Sequence, residues 1–247
     1  MTQFDGFRMT SMVFDSLFHH QIMQNALQLN REGKHFDEIA HIAGVSASDW
    51  SWGALILDLD LDGWKDIFIS NGIQKDMTDF DFVDIIMNKE VVNQVVDESE
   101  GFDFRDFLPF LPETKISNSV YVNQKDMTFK ESAMELGLDL PSFSNGSSYG
   151  DLDNDGDLDL VVNNANMEAF LFRNNTVESN QNNFLKISLK GPQKNPDGVG
   201  AKVQIYKGHQ LQEQQQFLSR GFKSSVAADL VFGLAKVEMV DSVRVIW

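Results

Sequence analysis

Two stretches of nine residues decide the fold: loop 1, Asp58-Leu-Asp60-Leu-Asp62-Gly63-Trp64-Lys-Asp66, and loop 2, Asp151-Leu-Asp153-Asn-Asp155-Gly156-Asp157-Leu-Asp159. Both fit the pattern D-x-D-x-D-G-x-x-D. Side chains at positions 1, 3 and 5 of such a loop converge on one point, the glycine at position 6 lets the chain reverse, and the carbonyl at position 7 turns inward. Only oxygen atoms face the centre, which favours calcium or magnesium over softer metals. The sequence therefore predicts two loops that each fold around a hard divalent cation.

The acidic residues are concentrated in these loops. The 247 residues include 37 Asp and Glu against 20 Lys and Arg, a formal net charge of −17, and nine of the acids lie in the two loops. Such a charge repels nucleic acid and anionic lipid, so neither is expected as a partner. The chain has no cysteine, which excludes disulfides and thiolate metal sites. No apolar run is long enough to predict a membrane span.

Calcium is the preferred ion, because a loop with six or more flexible oxygens suits the larger cation. An EF-hand would have a bidentate Glu at position 12, where Ile69 and Val162 stand here. Position 9, Asp66 or Asp159, is expected to close the shell instead, with water completing it. The missing Glu predicts weak affinity, about 0.1 to 1 mM. The alternative is an acidic turn that holds no metal. A structural role is favoured over a catalytic one, since no paired His or spare carboxylate is visible to activate a bound water.

The loops belong to an internal repeat. Residues 25–72 align without a gap on residues 118–165, at an offset of 93 residues and with 15 identities in 48 positions. Each copy predicts four short strands, the last two flanking the acidic loop, and four strands per unit are typical of a propeller blade. The sequence thus predicts an all-β fold, a partial β-propeller over residues 25–183, with residues 1–24 as the tail of a preceding segment.

An insertion of about 42 residues, at about 74–117, separates the copies and leaves an underlying period of about 51 residues. Its apolar spacing predicts one or two helices followed by an aromatic tail. The aromatic side chains of that tail either form a core or stack on a ligand, and the core is favoured; they are Phe102, Phe104, Phe107 and Phe110. The insertion itself either carries binding specificity or covers neighbouring blades.

The chain changes character after about residue 183. Leu185, Ile187 and Leu189 alternate with polar residues, and the same alternation returns at Val243, Val245 and Trp247. These patterns predict a small C-terminal β domain over 184–247 that has no acidic loop. Because both ends of the sequence are abrupt, we expect a fragment of a longer protein.

These motifs resemble known families. The acidic loops, with Gly53-Ala54 or Gly146-Ser147 upstream and Ile-Phe-Ile-Ser-Asn71 or Leu-Val-Val-Asn-Asn164 downstream, are similar to the FG-GAP/VCBS repeats of integrin-type propellers. The C-terminal part resembles the ASPIC/UnbV domain of cartilage acidic protein and its bacterial relatives. The segments that carry this second resemblance are Phe184-Leu-Lys-Ile-Ser-Leu, Asn195-Pro-Asp-Gly-Val-Gly-Ala201, Arg220-Gly221, Phe232-Gly-Leu234 and Val240-Asp-Ser-Val-Arg-Val-Ile-Trp247. Trp50-Ser-Trp52 and Leu111-Pro-Glu-Thr-Lys115 also resemble surface proteins of this type from Bacteroidetes.

The resemblance implies an exported or cell-surface propeller module loaded with two calcium ions. Carried over to this sequence, the ligands are the side chains of Asp58, Asp60, Asp62 and Asp66 with the Trp64 carbonyl, and those of Asp151, Asp153, Asp155 and Asp159 with the Asp157 carbonyl. Leu61 stands at position 4, where the family commonly has Asn, and is expected to point outward. The partner would be a protein or carbohydrate of unknown identity.

Two functions of different kinds fit this sequence. The leading hypothesis is a non-catalytic calcium-binding module for adhesion or ligand binding, and the alternative is an accessory or catalytic domain of an extracellular polysaccharide-processing enzyme. The residues Gly146-Ser-Ser-Tyr-Gly150 fit the nucleophile motif G-x-S-x-G, which requires a strand before the serine and a helix after it. The same segment aligns with Gly53–Leu57 and runs into loop 2, so a strand is predicted there.

Overall fold

The computed structural model describes residues 24–77, 79–88, 92, 104–180 and 182–247. Among these residues strands predominate, and they form five separate sheets, none of them closed into a barrel. The chain divides into two compact units. The larger comprises Ala26–Gly72 and Ile116–Trp247, and the described part of the smaller consists of residues 24–25 and of the described residues within Ile73–Lys115. The predicted all-β fold is confirmed.

The first large sheet has four antiparallel strands in the order β3-β4-β5-β6: β3 (Ser51–Leu57), β4 (Asp66–Asn71), β5 (Ser119–Asn123) and β6 (Phe129–Glu131). Alternate residues of β3 are buried, as expected for a strand with one face on the core. All six residues of β4 are buried, including the polar Asp66, Ser70 and Asn71, because β4 is an inner strand of the sheet. Loop 1 joins β3 to β4.

The second sheet contains β7 (Ser144–Gly150), β8 (Asp159–Asn164) and β9 (Phe170–Phe172), and loop 2 joins its first two strands. Strands β1 (Gln28–Arg31) and β2 (His35–Glu38) form a hairpin that is a sheet of its own among the described residues. A short helix, α1 (Ala40–Ala43), follows that hairpin.

The boundaries of the sheets do not coincide with the boundaries of the sequence repeat. One repeat was expected to make one blade, but the first copy supplies β1 to β4 and these strands lie in two sheets. The strand after each acidic loop pairs with the first strand of the next copy instead, as in Ile69 with Ser119 and Val162 with Phe170. Strands pair according to which apolar surfaces meet in the folded chain, and not according to the boundaries of the sequence repeat. Each acidic loop therefore joins two strands of one repeat in a sheet that is completed by strands of the following repeat.

One core cluster joins the two sheets. It contains Leu55, Leu57, Phe68, Val120, Leu160 and Val162 from the strands. Apolar residues of the acidic loops, Leu59, Leu61 and Leu158, are buried in the same cluster. The acidic loops are therefore anchored by their own leucines.

The insertion has its own small core. Helix α2 (Phe80–Met87) begins after Asp79, whose side chain accepts a hydrogen bond from the Phe82 backbone N–H at 3.0 Å. The aromatic tail forms a 3-10 helix, Phe104–Phe110, and Phe107 is fully buried in a cluster with Phe82. Phe107 is thus a core residue, whereas Phe110 is 44% exposed. Phe102 and the side chain of Phe104 lie outside the described residues.

The C-terminal β domain contains two sheets. Strands β10 (Asn183–Ile187) and β13 (Leu230–Ala235) pair with each other, and β12 (Gln210–Gln215), β11 (Lys202–Lys207) and β14 (Ser242–Ile246) form a second sheet. Val203, Ile205 and Phe232 are completely buried between them. Helix α3 (Thr176–Asn180) connects β9 to this domain.

Candidate metal centres

Loop 1 brings its carboxylates together at the turn between β3 and β4. Oxygens of Asp58, Asp60 and Asp66 all lie within 4.8 Å of one another. Asp58 is fully buried, and its two oxygens accept hydrogen bonds from the backbone N–H groups of Asp62 (3.1 Å) and Gly63 (3.0 Å). These bonds fold the loop back on its first residue, so the side chains at positions 1, 3 and 9 converge.

Loop 2 gathers the oxygens of two overlapping groups. Asp151, Asp153 and Asp155 form one, and Asp155, Asp157 and Glu178 form the other. Glu178 lies on α3, and nothing in the spacing of the loop motif would have found it. Burial leaves one oxygen of Asp151 and one of Asp157 without a hydrogen-bond partner. An unpaired buried carboxylate oxygen is costly, and a cation would satisfy it.

The aspartate at position 9 of each loop also accepts two backbone hydrogen bonds. The two oxygens of Asp66 accept from the backbone N–H groups of Leu59 (2.9 Å) and Asn123 (2.9 Å). Asp159 makes the same pair of bonds with Leu152 (2.9 Å) and Asn174 (2.8 Å). Asp66 also belongs to its loop's group of converging carboxylates, whereas neither group at loop 2 includes Asp159. The aspartate at position 9 therefore connects each loop to the next strand along the chain, at the end of β5 in loop 1 and just after β9 in loop 2.

Two asparagines complete this attachment and were not among the predicted site residues. The Asn123 side chain donates to the Lys65 carbonyl at 3.0 Å, and the Asn174 side chain donates to the Leu158 carbonyl at 3.3 Å. Both accepting carbonyls stand at position 8 of their loop. The sequence contains this signal as an asparagine at the end of β5 and another two residues after β9, but each asparagine contacts the loop across the sheet and not along the repeat.

Burial makes these carboxylates reluctant to ionise. It raises the pKa of Asp58 to about 6, with the neighbouring charges of Asp60 and Asp62 adding to the effect. Burial likewise raises the pKa of Asp66 to about 7 and that of Asp157 to about 6. The pKa of Asp60 is also raised by burial and by Asp62. Each site is thus short of positive charge.

Side-chain cations supply part of that charge. In loop 1, Lys125 contacts Asp62 at 2.7 Å. In loop 2, the Arg173 guanidinium contacts Asp153 at 2.7 Å and Asp155 at 3.5 Å, and it reaches Glu178 at 2.7 Å. Lys186 contacts Asp151 at 2.8 Å. Loop 1 also contains the partly buried Lys65, whose charge acts on Asp58 and Asp66, so the protein's own cations offset part of the negative charge in both loops.

The expectation that Leu61 points outward is wrong. Leu61 is completely buried, and its backbone is left-handed, with φ of 57°. Asn154 at the same position of loop 2 is also left-handed, with φ of 65°, but it is exposed. Leu61 enters the core cluster that also contains Val231 of the C-terminal β domain. At this position the free energy gained by burying the leucine side chain outweighs the cost of a left-handed backbone, which residues such as Asn adopt more readily.

The remaining predicted position, Trp64, is placed on the rim of loop 1. Its side chain is 42% exposed, and its backbone N–H donates to Asp62 at 2.8 Å. The side-chain donors that converge in both loops are carboxylate oxygens, which suit a hard cation such as calcium. The buried oxygens of Asp151 and Asp157 that lack a hydrogen-bond partner are available to coordinate a cation in loop 2. The residues present therefore fit a divalent cation.

A cavity of about 650 Å³ lies beside the loops, between the two large sheets. Its walls combine apolar side chains such as Phe172 and Leu136 with charged ones. The charged residues that line it are Asp60, Asp66, Lys130, Glu135 and Arg173. A mixed lining and this volume are typical of small-ligand sites.

The G-x-S-x-G segment is a strand, as predicted. Residues Ser144–Gly150 form β7 in full, and the chain continues from Gly150 into loop 2. Ser147 is only 2% exposed. The strand–turn–helix geometry that would present a nucleophilic serine is not formed at this segment.

Family models match two parts of the chain. Residues 114–162 match the FG-GAP-like repeat, and residues 191–247 match the family described as ASPIC and UnbV. The first match contains loop 2, and the second contains β11 to β14. Both domains are typical of extracellular proteins. No curated protein is significantly similar to the chain. In the described residues, no helix has the length and apolar character needed to cross a membrane.

Proposed function

From the premise that this chain is an FG-GAP repeat protein with an ASPIC/UnbV domain, we propose that it is a non-catalytic calcium-binding module of an extracellular or cell-surface propeller protein. In this role two calcium ions, one in each acidic loop, stabilise the sheets, and the module binds a protein or carbohydrate. The observation that carries the proposal is the pair of buried, unpartnered carboxylate oxygens in loop 2, within a motif that loop 1 repeats.

The charge balance of the loops supports a cation. Nine aspartates occupy the two loops, and the contacts of Lys125, Arg173 and Lys186 reach only four of them. Asp58 and Asp66 are buried and form no direct ion pair among the described residues, although the charge of the partly buried Lys65 acts on both. A divalent ion would neutralise them at neutral pH, where their raised pKa values otherwise make ionisation costly. Calcium in these sites would be structural.

Calorimetric titration of the purified chain tests the calcium proposal. We expect two ions per chain with dissociation constants of about 0.1 to 1 mM. Asp151→Asn should remove binding at loop 2, and Asp58→Asn should remove binding at loop 1. The matched control is Asp126→Asn, because Asp126 lies in an exposed hairpin turn outside both loops. Absence of calcium uptake by the wild-type chain at millimolar calcium would contradict the proposal.

Ligand binding is proposed at the cavity between the sheets. Its apolar wall suits the face of a sugar ring or an apolar peptide side chain, and its polar groups suit hydroxyls or backbone amides. A glycan array and a pull-down from extracellular material, each with Phe172→Ala as the comparison, test this part. Ligands retained equally by wild type and variant would place the binding site elsewhere.

One observation favours the alternative, a polysaccharide-processing activity. Asp60 and Glu135 both line the cavity, and glycosidases act through a pair of carboxyl groups that flank the scissile bond. Reducing-end release from bacterial and algal polysaccharides measures this activity directly. Turnover by the wild-type chain that is lost in both Asp60→Asn and Glu135→Gln would establish the enzyme and refute the non-catalytic module.

A further inference from the structure

The two acidic loops present the same positions to the C-terminal β domain. At position 1, Asp58 lies directly beneath Gly233 of β13: a Cβ at that glycine would be 2.2 Å from the Asp58 carboxylate. Asp151, the equivalent residue of loop 2, pairs with Lys186 of β10 at 2.8 Å and keeps its other oxygen unpartnered. The first ligand position of each loop is therefore also a contact with the C-terminal β domain.

The glycines at position 6 repeat this arrangement. Gly63 has φ of 93°, and a Cβ there would lie 2.9 Å from the Gln212 side chain and 3.1 Å from the Gly233 carbonyl. Gly156 has φ of 104°, and a Cβ there would overlap the Phe184 ring at 1.8 Å. Glycine at this position is needed both to reverse the loop and to admit a strand of the C-terminal β domain.

Hydrogen bonds connect the same domain to the backbone of loop 1. The Ala235 N–H donates to the Leu61 carbonyl at 2.9 Å, and the Asn182 side chain donates to the Asp60 carbonyl at 2.8 Å. These donors recognise the path of the loop backbone and not the identity of its side chains. The interface is therefore complementary to one loop conformation.

That conformation is the one a cation would stabilise. Without a cation, the carboxylates at positions 1, 3 and 5 repel one another, and opening the loop relieves the repulsion. An opened loop would move the carbonyls of Asp60 and Leu61 away from their donors. From these contacts we infer that the C-terminal β domain docks on the cation-loaded form of loop 1, so that cation binding at loop 1 and domain docking are one coupled equilibrium. The inference rests on the proposed calcium sites.

Coupling of this kind is reciprocal, so weakening the docking must weaken calcium binding. Gly233→Ala replaces no proposed ligand, but its methyl group would press on the Asp58 carboxylate. A loss of calcium affinity therefore supports the coupling only if Phe184→Leu, at the residue that pairs with Gly233, shows it as well, and a loss in Gly233→Ala alone counts against the coupling. Phe184→Leu reduces the packing on Gly156 and is mild enough to keep the domain folded if the first variant is not. The matched control is Phe217→Leu, since Phe217 belongs to the same domain but is 47% exposed.

The experiment combines calcium titration of each variant with hydrogen exchange of wild type in calcium and in chelator. We expect calcium affinity to fall about 5- to 150-fold in Gly233→Ala, to fall by a smaller factor in Phe184→Leu, and to stay unchanged in Phe217→Leu. We also expect calcium to slow amide exchange in residues 183–187 and 230–235 of wild type, which are remote in sequence from the ligands.

Each outcome has a definite meaning. Calcium uptake by wild type, with unchanged affinity in Gly233→Ala and Phe184→Leu, would overturn the coupling and leave the calcium sites standing. Calcium binding that leaves exchange of the two strands unaltered would overturn it as well. No calcium uptake by wild type would overturn the proposed function, and this inference with it.

Discussion

Removing calcium at different pH values tests how the buried carboxyl groups of Asp58 and Asp66 affect stability. In the metal-free chain, burial raises the pKa of Asp58 from 3.8 to about 6 and that of Asp66 from 3.8 to about 7. At about 1.4 kcal/mol per pKa unit, these shifts correspond to about 3 and about 4 kcal/mol. A folded state with raised carboxyl pKa values binds protons more tightly than the unfolded chain. The contribution of these two groups to stability is therefore complete below about pH 4 and is lost progressively as the pH rises from about 4 through 6 to 7.

Calcium should reverse that loss, because it binds the ionised carboxylates. A free calcium concentration 100 times the dissociation constant stabilises the fold by about 2.7 kcal/mol for each site. At pH 5 the ion must displace protons from Asp58 and Asp66, so the same concentration stabilises less. We therefore expect a large calcium effect at pH 7.5, a small one at pH 5.0, and a metal-free protein that is more stable at pH 5.0 than at pH 7.5.

Urea unfolding followed by circular dichroism measures these quantities, in protein stripped of metal by dialysis and in the same protein with 10 mM calcium. Asp58→Asn should make the metal-free chain less sensitive to pH and should abolish part of the calcium effect, whereas Asp126→Asn should do neither. The reasoning is refuted if the metal-free protein gains stability between pH 5.0 and 7.5, or if calcium stabilises it equally at both.

Three substitutions extend these expectations. Leu61→Ala should lower the free energy of unfolding by about 2 to 5 kcal/mol because it leaves a cavity at a buried position. The control Leu152→Ala, on the exposed side of loop 2, should change the free energy of unfolding by less than about 0.5 kcal/mol. Equal effects would contradict the burial of Leu61. Asn123→Ala removes the donor to the Lys65 carbonyl, and we expect a loss of about 1 to 3 kcal/mol in urea unfolding; an unchanged midpoint would show that this bond is dispensable. Arg173→Gln frees two loop 2 carboxylates, and calorimetry should show calcium affinity raised by up to about fivefold; weaker binding would mean that Arg173 supports the site.

Much of the fold was readable from the sequence. The converging carboxylates, the strands on either side of each loop and the apolar character of β4 follow from local patterns, because they depend on spacing within nine or fewer residues. The two family resemblances were equally local, and matches to both families bear them out. The strand assignment of Gly146–Gly150 also needed only its alignment with the first repeat.

Other features depended on contacts between distant parts of the chain. Glu178 joins loop 2 from a helix about twenty residues away, and Asn123 holds loop 1 from the next repeat. Leu61 was expected to point outward, as position 4 does in the family it resembles, but the core and the C-terminal β domain cover it. The sequence repeat also did not reveal that each sheet takes its outer strands from the following copy.

The nine-residue spacing of carboxylates in both loops could be read from the chain alone, since ligand spacing and chain reversal are properties of neighbouring residues. What the loops support became apparent only in the folded protein. Their first aspartates and their glycines lie against strands β10 and β13, more than 25 residues further along the chain. Packing between such distant segments depends on the shape of both surfaces, and neither surface exists until the chain has folded.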